Sequence, residues 1–428
     1  MKLQKILGAF LIIALTLGLA ATAFAYSGLT KNGVTYYDPA KAYNCYTLID
    51  GQSNTVPYLI DMNGNVVKDW SPLLQANGYR GTTRIELQPD GNLITMVSVA
   101  QTSQGNKPDI VEWDWEGNIA WSYFASSPSE VPHHYLTRLE NGNTVFLISH
   151  HIARTDTAAL GFQDFSGNEW WPQMRRTGMV IGGDKIIEVN QAGERVWEWA
   201  AVDDPWFDVN RFSPFDPMQD WTHGNTCSVI PENQWYDAGD ARFKPGNIIF
   251  NPRNFDEFVI IDKDTRLVVW SWKSDFQGGL AHPHEPEMIP KGLPGAGNII
   301  VFDNGLGVRD RLHNARSYVL EINPVNKEIV WIYGAINFYG QTGSTQTRLP
   351  NGNTFIAESN SGRCFQVTSE GEVVWEYMSP RGEVGRPRPY SYDHSPQLKD
   401  LPRSEIAVPI PEGFRPFPRM SVGTASGG

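Results

Sequence analysis

The octapeptide Glu116-Gly117-Asn118-Ile119-Ala120-Trp121-Ser122-Tyr123 decides the fold, because the chain repeats it. A tight turn leads into an apolar strand that ends in aromatics. The unit recurs as Asn63-Gly64-Asn65-Val66-Val67-Lys68-Asp69-Trp70 and as Ala192-Gly193-Glu194-Arg195-Val196-Trp197-Glu198-Trp199. It returns as Arg266-Leu267-Val268-Val269-Trp270-Ser271-Trp272, Glu328-Ile329-Val330-Trp331-Ile332-Tyr333 and Glu372-Val373-Val374-Trp375-Glu376-Tyr377. Six copies at fixed order are the mark of a repeat architecture.

A second unit alternates with the first. Gly-Asn turns at Gly91-Asn92, Gly142-Asn143, Gly246-Asn247, Gly297-Asn298 and Gly352-Asn353 each open an apolar strand. Such pairs favour the positive φ that tight hairpins require. Each lies between two successive aromatic-ending strands, so each interval holds two hairpins. That is a four-stranded antiparallel sheet. The shortest interval, Tyr333 to Tyr377, is close to one propeller blade, and the longer ones carry insertions. One such sheet cannot bury both faces, whereas radial stacking of six can. The expected fold is all-β, a six-bladed β-propeller with loop insertions on one face.

The expected boundaries follow. Lys2, Lys5, an apolar run to about Ala21 and Ala23-Phe24-Ala25 read as a signal peptide over 1–25, which places the mature protein in the periplasm or the medium. Residues 26–42 read as a lead-in, 43–398 as the propeller and 399–428 as a tail. The first blade lacks an inner partner before Cys45, so a closing strand is expected around 390–398. Insertions at about 154–180 and 203–221 should project from one face. No stable membrane span is expected after processing. Loss of Lys2 and Lys5 takes the net charge from −12 to −14, which disfavours nucleic acid as a partner. Three cysteines, Cys45, Cys227 and Cys364, allow one disulfide that spacing does not assign. A homo-oligomer is left open.

The chemistry is sought at the ends of the innermost strands. His134 and His284 each stand five residues before the apolar residue that precedes a hairpin, and His223 heads a similar run. Arg253, Asn304 and Ser359 each lie six residues past a Gly-Asn turn, a return of about 20 Å to the rim where the histidines start. His134, His223, His284 and Arg253 should therefore converge at one channel mouth. Three histidines can bind a metal or act as nucleophile, acid and base. The arginine disfavours a divalent ion and suits a tetrahedral oxyanion. No metal and no cofactor are expected. His133, His150, His151, His282, His313 and His394 lack this register and read as structural or exposed. Trp170 and Trp171 sit in an insertion and read as an aromatic wall or a buried anchor.

Asp220-Trp221-Thr222-His223-Gly224-Asn225-Thr226, Asn251-Pro252-Arg253-Asn254, His284-Glu285-Pro286-Glu287-Met288-Ile289-Pro290 and Asp303-Asn304-Gly305 resemble the arylsulfate sulfotransferase family. The resemblance runs from about Tyr43 to about Tyr377. It implies a six-bladed propeller that moves a sulfuryl group from an aryl sulfate to a phenol, independently of 3'-phosphoadenylyl sulfate. It implies that His284 is the nucleophile forming a sulfohistidine. His134, His223 and Arg253 would hold sulfuryl oxygens or move protons, and Asn225 would orient His223. Asn304, Trp170 and Trp171 would bind substrate, a phenolic donor or acceptor. Some members have an extra N-terminal β-domain, for which there is little room before Cys45, and a closely spaced disulfide near the site, which is missing here. Ala281-His282-Pro283-His284 offers two candidate nucleophiles. The rival readings are a non-catalytic exported propeller that binds a ligand or partner, a metal-dependent hydrolase and a quinone-dependent dehydrogenase.

Overall fold

The computed structural model describes residues 32–51, 57–79, 81–97, 107–127, 130–153, 180–208, 220–306 and 316–410. In chain order, β1 (Gly33–Tyr37) precedes the ring, and β2 (Tyr46–Ile49), β3 (Tyr58–Ile60) and β4 (Val66–Asp69) begin blade one. Blade two is β5 (Thr82–Leu87), β6 (Leu93–Val97), β7 (Ile110–Trp113) and β8 (Ile119–Tyr123). Blade three is β9 (Pro132–Arg138), β10 (Thr144–Ala153), β11 (Val180–Val189) and β12 (Arg195–Ala200). Blade four is β13 (Gly224–Val229), β14 (Ile248–Pro252), β15 (Phe258–Asp262) and β16 (Leu267–Trp272). Blade five is β17 (His284–Met288), β18 (Ile299–Asp303), β19 (Tyr318–Ile322) and β20 (Ile329–Tyr333). Blade six is β21 (Thr345–Arg348), β22 (Thr354–Glu358), β23 (Arg363–Val367) and β24 (Val373–Met378), and β25 (Arg388–Tyr390) comes last.

Each sheet is an antiparallel meander, and the six form a propeller ring. The Gly-Asn turns do what their composition requires. Gly91 and Gly352 sit at φ +91° and +92°, where a side chain would be strained. Their N–H groups close the turns onto Gln88 and Leu349 at 2.9 Å. The core is divided among the six blade interfaces. One cluster joins Trp199 and Ile186 of blade three to Phe250 and Val259 of blade four. Comparable clusters fill the other five interfaces.

The repeated tryptophan has a specific task. The indole N–H of Trp121 donates to Gln191 O (2.9 Å), Trp197 to Lys263 O (2.8 Å), Trp270 to Pro324 O (2.9 Å), Trp331 to Ser369 O (2.7 Å) and Trp375 to Met62 O (2.8 Å). Each bond runs from an outer strand to the outer turn of the next blade. Lys68 occupies the same place in the first repeat, and its ammonium donates to Trp115 O at 3.0 Å. The six bonds go once around the ring, and Trp375 closes blade six onto blade one.

The ends of the chain also close the ring. β25 pairs with β2 through Tyr46↔Tyr390 and completes blade one. The closing strand therefore begins two residues before the expected 390–398 and ends at Tyr390, and Pro396–Lys399 is a short helix. The described part of the lead-in, from residue 32, is structural, since β1 pairs with β24 as a fifth strand of blade six. The described part of the tail docks on the same seam, with Val408 bridging Tyr37 and Ile406 bonded to Asn63. Cys45, Cys227 and Cys364 are free and buried, so the one disulfide allowed by their number is not formed. Burial raises the Cys45 thiol to about 12, which leaves it inert. Among the described residues no helix is long and apolar enough to cross a membrane. Residues 1–25 lie outside the described residues.

Candidate functional site

The innermost strands, β25, β5, β9, β13, β17 and β21, run side by side around the channel. Their N-terminal ends gather at one mouth. The same mouth receives the ends of β10 and β11, between which the first insertion runs, and the connection from β12 to β13 that holds the second. Loop insertions thus leave from the face that carries the histidines. Four of the inner strands are bulged near this mouth: β5 between Thr82 and Arg84, β9 between His133 and Leu136, β13 between Gly224 and Thr226, and β17 between His284 and Glu287. Bulges re-aim side chains and cluster at functional sites. His134 (φ 57°), His223 (φ 45°), His282 (φ 52°) and Glu285 (φ 50°) all lie in the left-handed region. Each such residue costs about 1–3 kcal/mol, a strain the surrounding ring must hold.

The four expected groups do meet. The rings of His134 and His223 are 5.1 Å apart between centroids. Arg253 lies in a 3-10 turn after β14, and its backbone N–H donates to His223 O at 3.3 Å. Its Nε donates to Asn254 Oδ1 at 3.0 Å. Burial first, then Arg386, Arg253 and His223, hold the His284 imidazole well below its usual range, against the opposing bond to Asn304. His134 is held low as well, by desolvation and then by His133, His223, Arg386 and His284. Both rings are neutral at neutral pH, in a pocket lined by guanidinium groups.

Asn304 fixes the tautomer of His284. Its amide nitrogen donates to Gly340 O (2.6 Å) and Gly343 O (3.1 Å), so its Oδ1 must face His284 Nδ1, 2.7 Å away. The second partner of Nδ1 is the His282 carbonyl at 3.1 Å. Both partners are acceptors, so Nδ1 carries the proton and Nε2 carries the lone pair. Asn304 was expected to bind substrate, but its amide is used up in holding this ring. His284 is the histidine that shares the pocket with both arginines. His282 contributes its carbonyl, and its own N–H donates to Asp256 at 2.8 Å.

Asn225 also differs from expectation. Its amide donates to Pro283 O at 3.0 Å, and its Oδ1 accepts from Asn251 (2.7 Å) and Thr226 (3.0 Å). It therefore fixes the segment entering His284 rather than His223, because the bulge at Gly224–Thr226 turns its side chain toward blade five. His223 is oriented by Asp220, which is hydrogen-bonded to its Nδ1.

His133, Asp184 and Arg386 are not among the site residues that the sequence singles out. His133 was read as structural or exposed, yet its side chain is only 18% exposed and belongs to the cluster. Its Nε2 is 3.0 Å from Asp184 Oδ1, and its Nδ1 is 2.9 Å from His134 Nδ1. The left-handed turn at His134 folds two adjacent rings together, where an extended strand would place them on opposite faces. Arg386, from the segment before β25, is bonded to His134 O and pairs with Glu285 at 3.1 Å. Its signal was the alternation Arg386-Pro387-Arg388, which puts two cations on one face of a strand. His394 bonds Leu87 O at 3.0 Å, and His150 and His151 lie on β10. Trp170, Trp171 and His313 lie outside the described residues.

Beneath the histidines is a charged floor. Glu285 pairs with Arg84 (2.8 Å), Arg386 (3.1 Å) and Arg388 (3.3 Å). Burial opposes its ionisation, but Arg386, Arg84 and Arg388 outweigh burial and bring it down to about 2. The site thus gathers neutral imidazoles over a floor of arginines paired with Glu285, and the Nε2 of His284 carries no proton. Such a pocket can hold a tetrahedral anion and offer it a nucleophile.

No protein-family model and no curated protein matches the chain. Among solved structures, a protein of unknown function from Bacteroides caccae is similar at 14% identity and a TM-score of 0.49, over 81% of this chain and 99% of that one. A periplasmic gluconolactonase, PpgL, from Pseudomonas aeruginosa is similar at 11% identity and a TM-score of 0.43, over 82% and 99%. A virginiamycin B lyase from Staphylococcus aureus is similar at 12% identity and a TM-score of 0.38, over 71% and 72%.

Proposed function

We propose that this protein is an exported aryl-sulfate sulfotransferase-like enzyme, acting in the periplasm or the medium without 3'-phosphoadenylyl sulfate. The observation that carries the reading is the tautomer of His284. Asn304 and the His282 carbonyl hold its Nδ1–H and leave Nε2 as a lone pair in a pocket with Arg253, Arg386 and two further histidines. A neutral imidazole is a competent nucleophile, and covalent catalysis splits one difficult displacement into two easier ones.

The reaction runs in two halves. Nε2 of His284 attacks the sulfur of an aryl sulfate. The N–S bond forms as the S–O bond to the aryl group breaks, and the departing oxygen takes a proton from His223. Arg253 and Arg386 stabilise the sulfuryl oxygens, on which negative charge is held throughout. A second phenol then enters, gives its proton to a neutral histidine of the cluster and attacks the same sulfur. The N–S bond breaks, its electron pair returns to Nε2, and a new aryl sulfate leaves.

Incubation with p-nitrophenyl sulfate and phenol is expected to release nitrophenol and form phenyl sulfate. His284→Ala should lower the rate by roughly 10³-fold or more, as loss of a nucleophile does. Mass spectrometry of the quenched wild type should find one SO3 group on the peptide that holds His284. Equal turnover by His284→Ala would refute the assignment. A second reading is binding of an aromatic sulfate without turnover. It predicts a tight complex with p-nitrophenyl sulfate and no release of nitrophenol.

A further inference from the structure

We infer that Asp184, His133 and His134 form a proton relay that receives the acceptor phenol's proton in the second half of the reaction. The inference rests on the sulfuryl-transfer reading of the site. It assigns a task to two residues, Asp184 and His133, that the two-step scheme above does not use.

Asp184 stands on β11, facing the bulged start of β9. It accepts from Thr222 Oγ1, from the Gly224 N–H at 2.5 Å and from His133 Nε2 at 3.0 Å. Burial resists its ionisation, but the bond to His133 and these other donors keep its carboxyl below the usual range, so it is an acceptor only. His133 must therefore carry a proton on Nε2. Its Nδ1 faces His134 Nδ1 at 2.9 Å, and one proton is shared between them. In the neutral pair that proton sits on His134, which leaves His134 Nε2 as a free lone pair. The other groups that face His134 are Arg386, His223 and His284, all of which disfavour a positive charge on that ring. Only the Asp184 end of the chain welcomes one.

The step balances. The phenol O–H gives its proton to His134 Nε2 as its oxygen attacks the sulfur on His284. The N–S bond breaks, with its pair returning to His284 Nε2. The proton on His134 Nδ1 crosses to His133 Nδ1. The positive charge then rests on His133 against the Asp184 carboxylate, away from Arg386. The relay resets by losing that proton to solvent, while His223 takes one from solvent for the next leaving group. His134 is the base that touches the acceptor, and His133 and Asp184 are positioning residues that act through it. The placement explains why His134 tolerates a left-handed backbone: that turn is what stacks the two rings edge to face, at 5.0 Å between centroids and 86° between planes.

The test has two arms. In protein labelled with 15N-histidine, a scalar coupling between the two Nδ1 nuclei is expected across the N–H···N bond. A folded wild type without that coupling overturns the relay. The second arm compares acceptors. Transfer from 4-methylumbelliferyl sulfate to phenol, which needs a base, should fall roughly 10- to 100-fold in His133→Phe, a part of the usual general-base effect. Transfer to nitrophenolate, already ionised at the assay pH, should change by less than about threefold, since general-base catalysis has no proton to remove. His133→Gln, which keeps a donor for Asp184 but cannot pass a proton onward, should show the same selective loss. Equal loss for both acceptors in both variants overturns the relay alone. A wild type that transfers to neither acceptor overturns the sulfuryl-transfer reading instead.

Discussion

Asn304 shows how much one amide can decide. A histidine has two nitrogens, and a nucleophile needs the correct one unprotonated. Gly340 O and Gly343 O claim both amide protons of Asn304, so its oxygen has one possible direction. The consequence is testable without touching the nucleophile. Asn304→Ala should free the ring to adopt the other tautomer and lower kcat roughly 100-fold or more, the scale seen when a partner that fixes an imidazole is replaced. KM for p-nitrophenyl sulfate should change little, because Arg253 and Arg386 remain. A fall in affinity with kcat preserved would instead make Asn304 a substrate ligand. The sequence placed Asn304 at the correct rim by counting residues from a turn. It did not give the role, since that depends on backbone carbonyls of the segment leading into blade six.

The outer strand is the element that makes the repeat visible. Its tryptophan looks like a core residue. The structure adds an indole N–H bonded to the next blade, with Lys68 standing in for tryptophan once. The Trp375 bond closes the ring and is buried, whereas the Trp331 bond is exposed. Trp375→Phe should therefore cost about 1–3 kcal/mol, because Met62 O is left without its donor in a buried place. Trp331→Phe should cost only about 0.5–1.5 kcal/mol, because water can replace the lost donor. Urea unfolding of the two variants measures both, and equal costs would show that the bond does not depend on burial. The inner strands were legible as strands but not in their register. The bulge in β9 shifts its pairing between His133 and Leu136 and turns His134 into the left-handed region. Regular alternation would have sent His133 away from the cluster.

Across the whole molecule, Glu285 is where the blades meet. Its carboxylate binds Arg84 of blade two and Arg386 and Arg388 of the segment that closes blade one. Thr226 of blade four donates to it at 3.3 Å, and Gln346 of blade six donates to its backbone carbonyl at 2.6 Å. Arg84 in turn stacks on Tyr135 of blade three, 4.2 Å from the ring centroid. Removing the charge leaves the buried guanidiniums of Arg84 and Arg386, and the part-buried one of Arg388, short of a partner, so Glu285→Gln should cost about 3–5 kcal/mol. The pH dependence has a definite sign. The folded-state value of about 2 lies below the ordinary 4.5, so this contribution is present above pH 4.5 and is lost as pH falls toward 2. Wild-type and Glu285→Gln stabilities should converge over that window in denaturation curves taken at stepped pH. A gap that stays constant from neutral pH to pH 2 would refute the hub.

The sequence by itself determined the architecture. Turn chemistry and strand alternation act over a few residues, and six repetitions of the same short pattern leave one economical way to bury twelve sheet faces. It also placed His134, His223, His284 and Arg253 at a common rim, because strand length converts a residue count into a distance. Only the tertiary structure decided what surrounds them. Arg386 reaches the pocket because the last strand pairs with the first blade, and Asp184 meets His133 because a bulge breaks the period of two. Asn225 serves Pro283 in the next blade rather than its neighbour His223. These contacts join residues far apart in the chain, and their geometry comes from ring closure and local register shifts that no short stretch of sequence encodes.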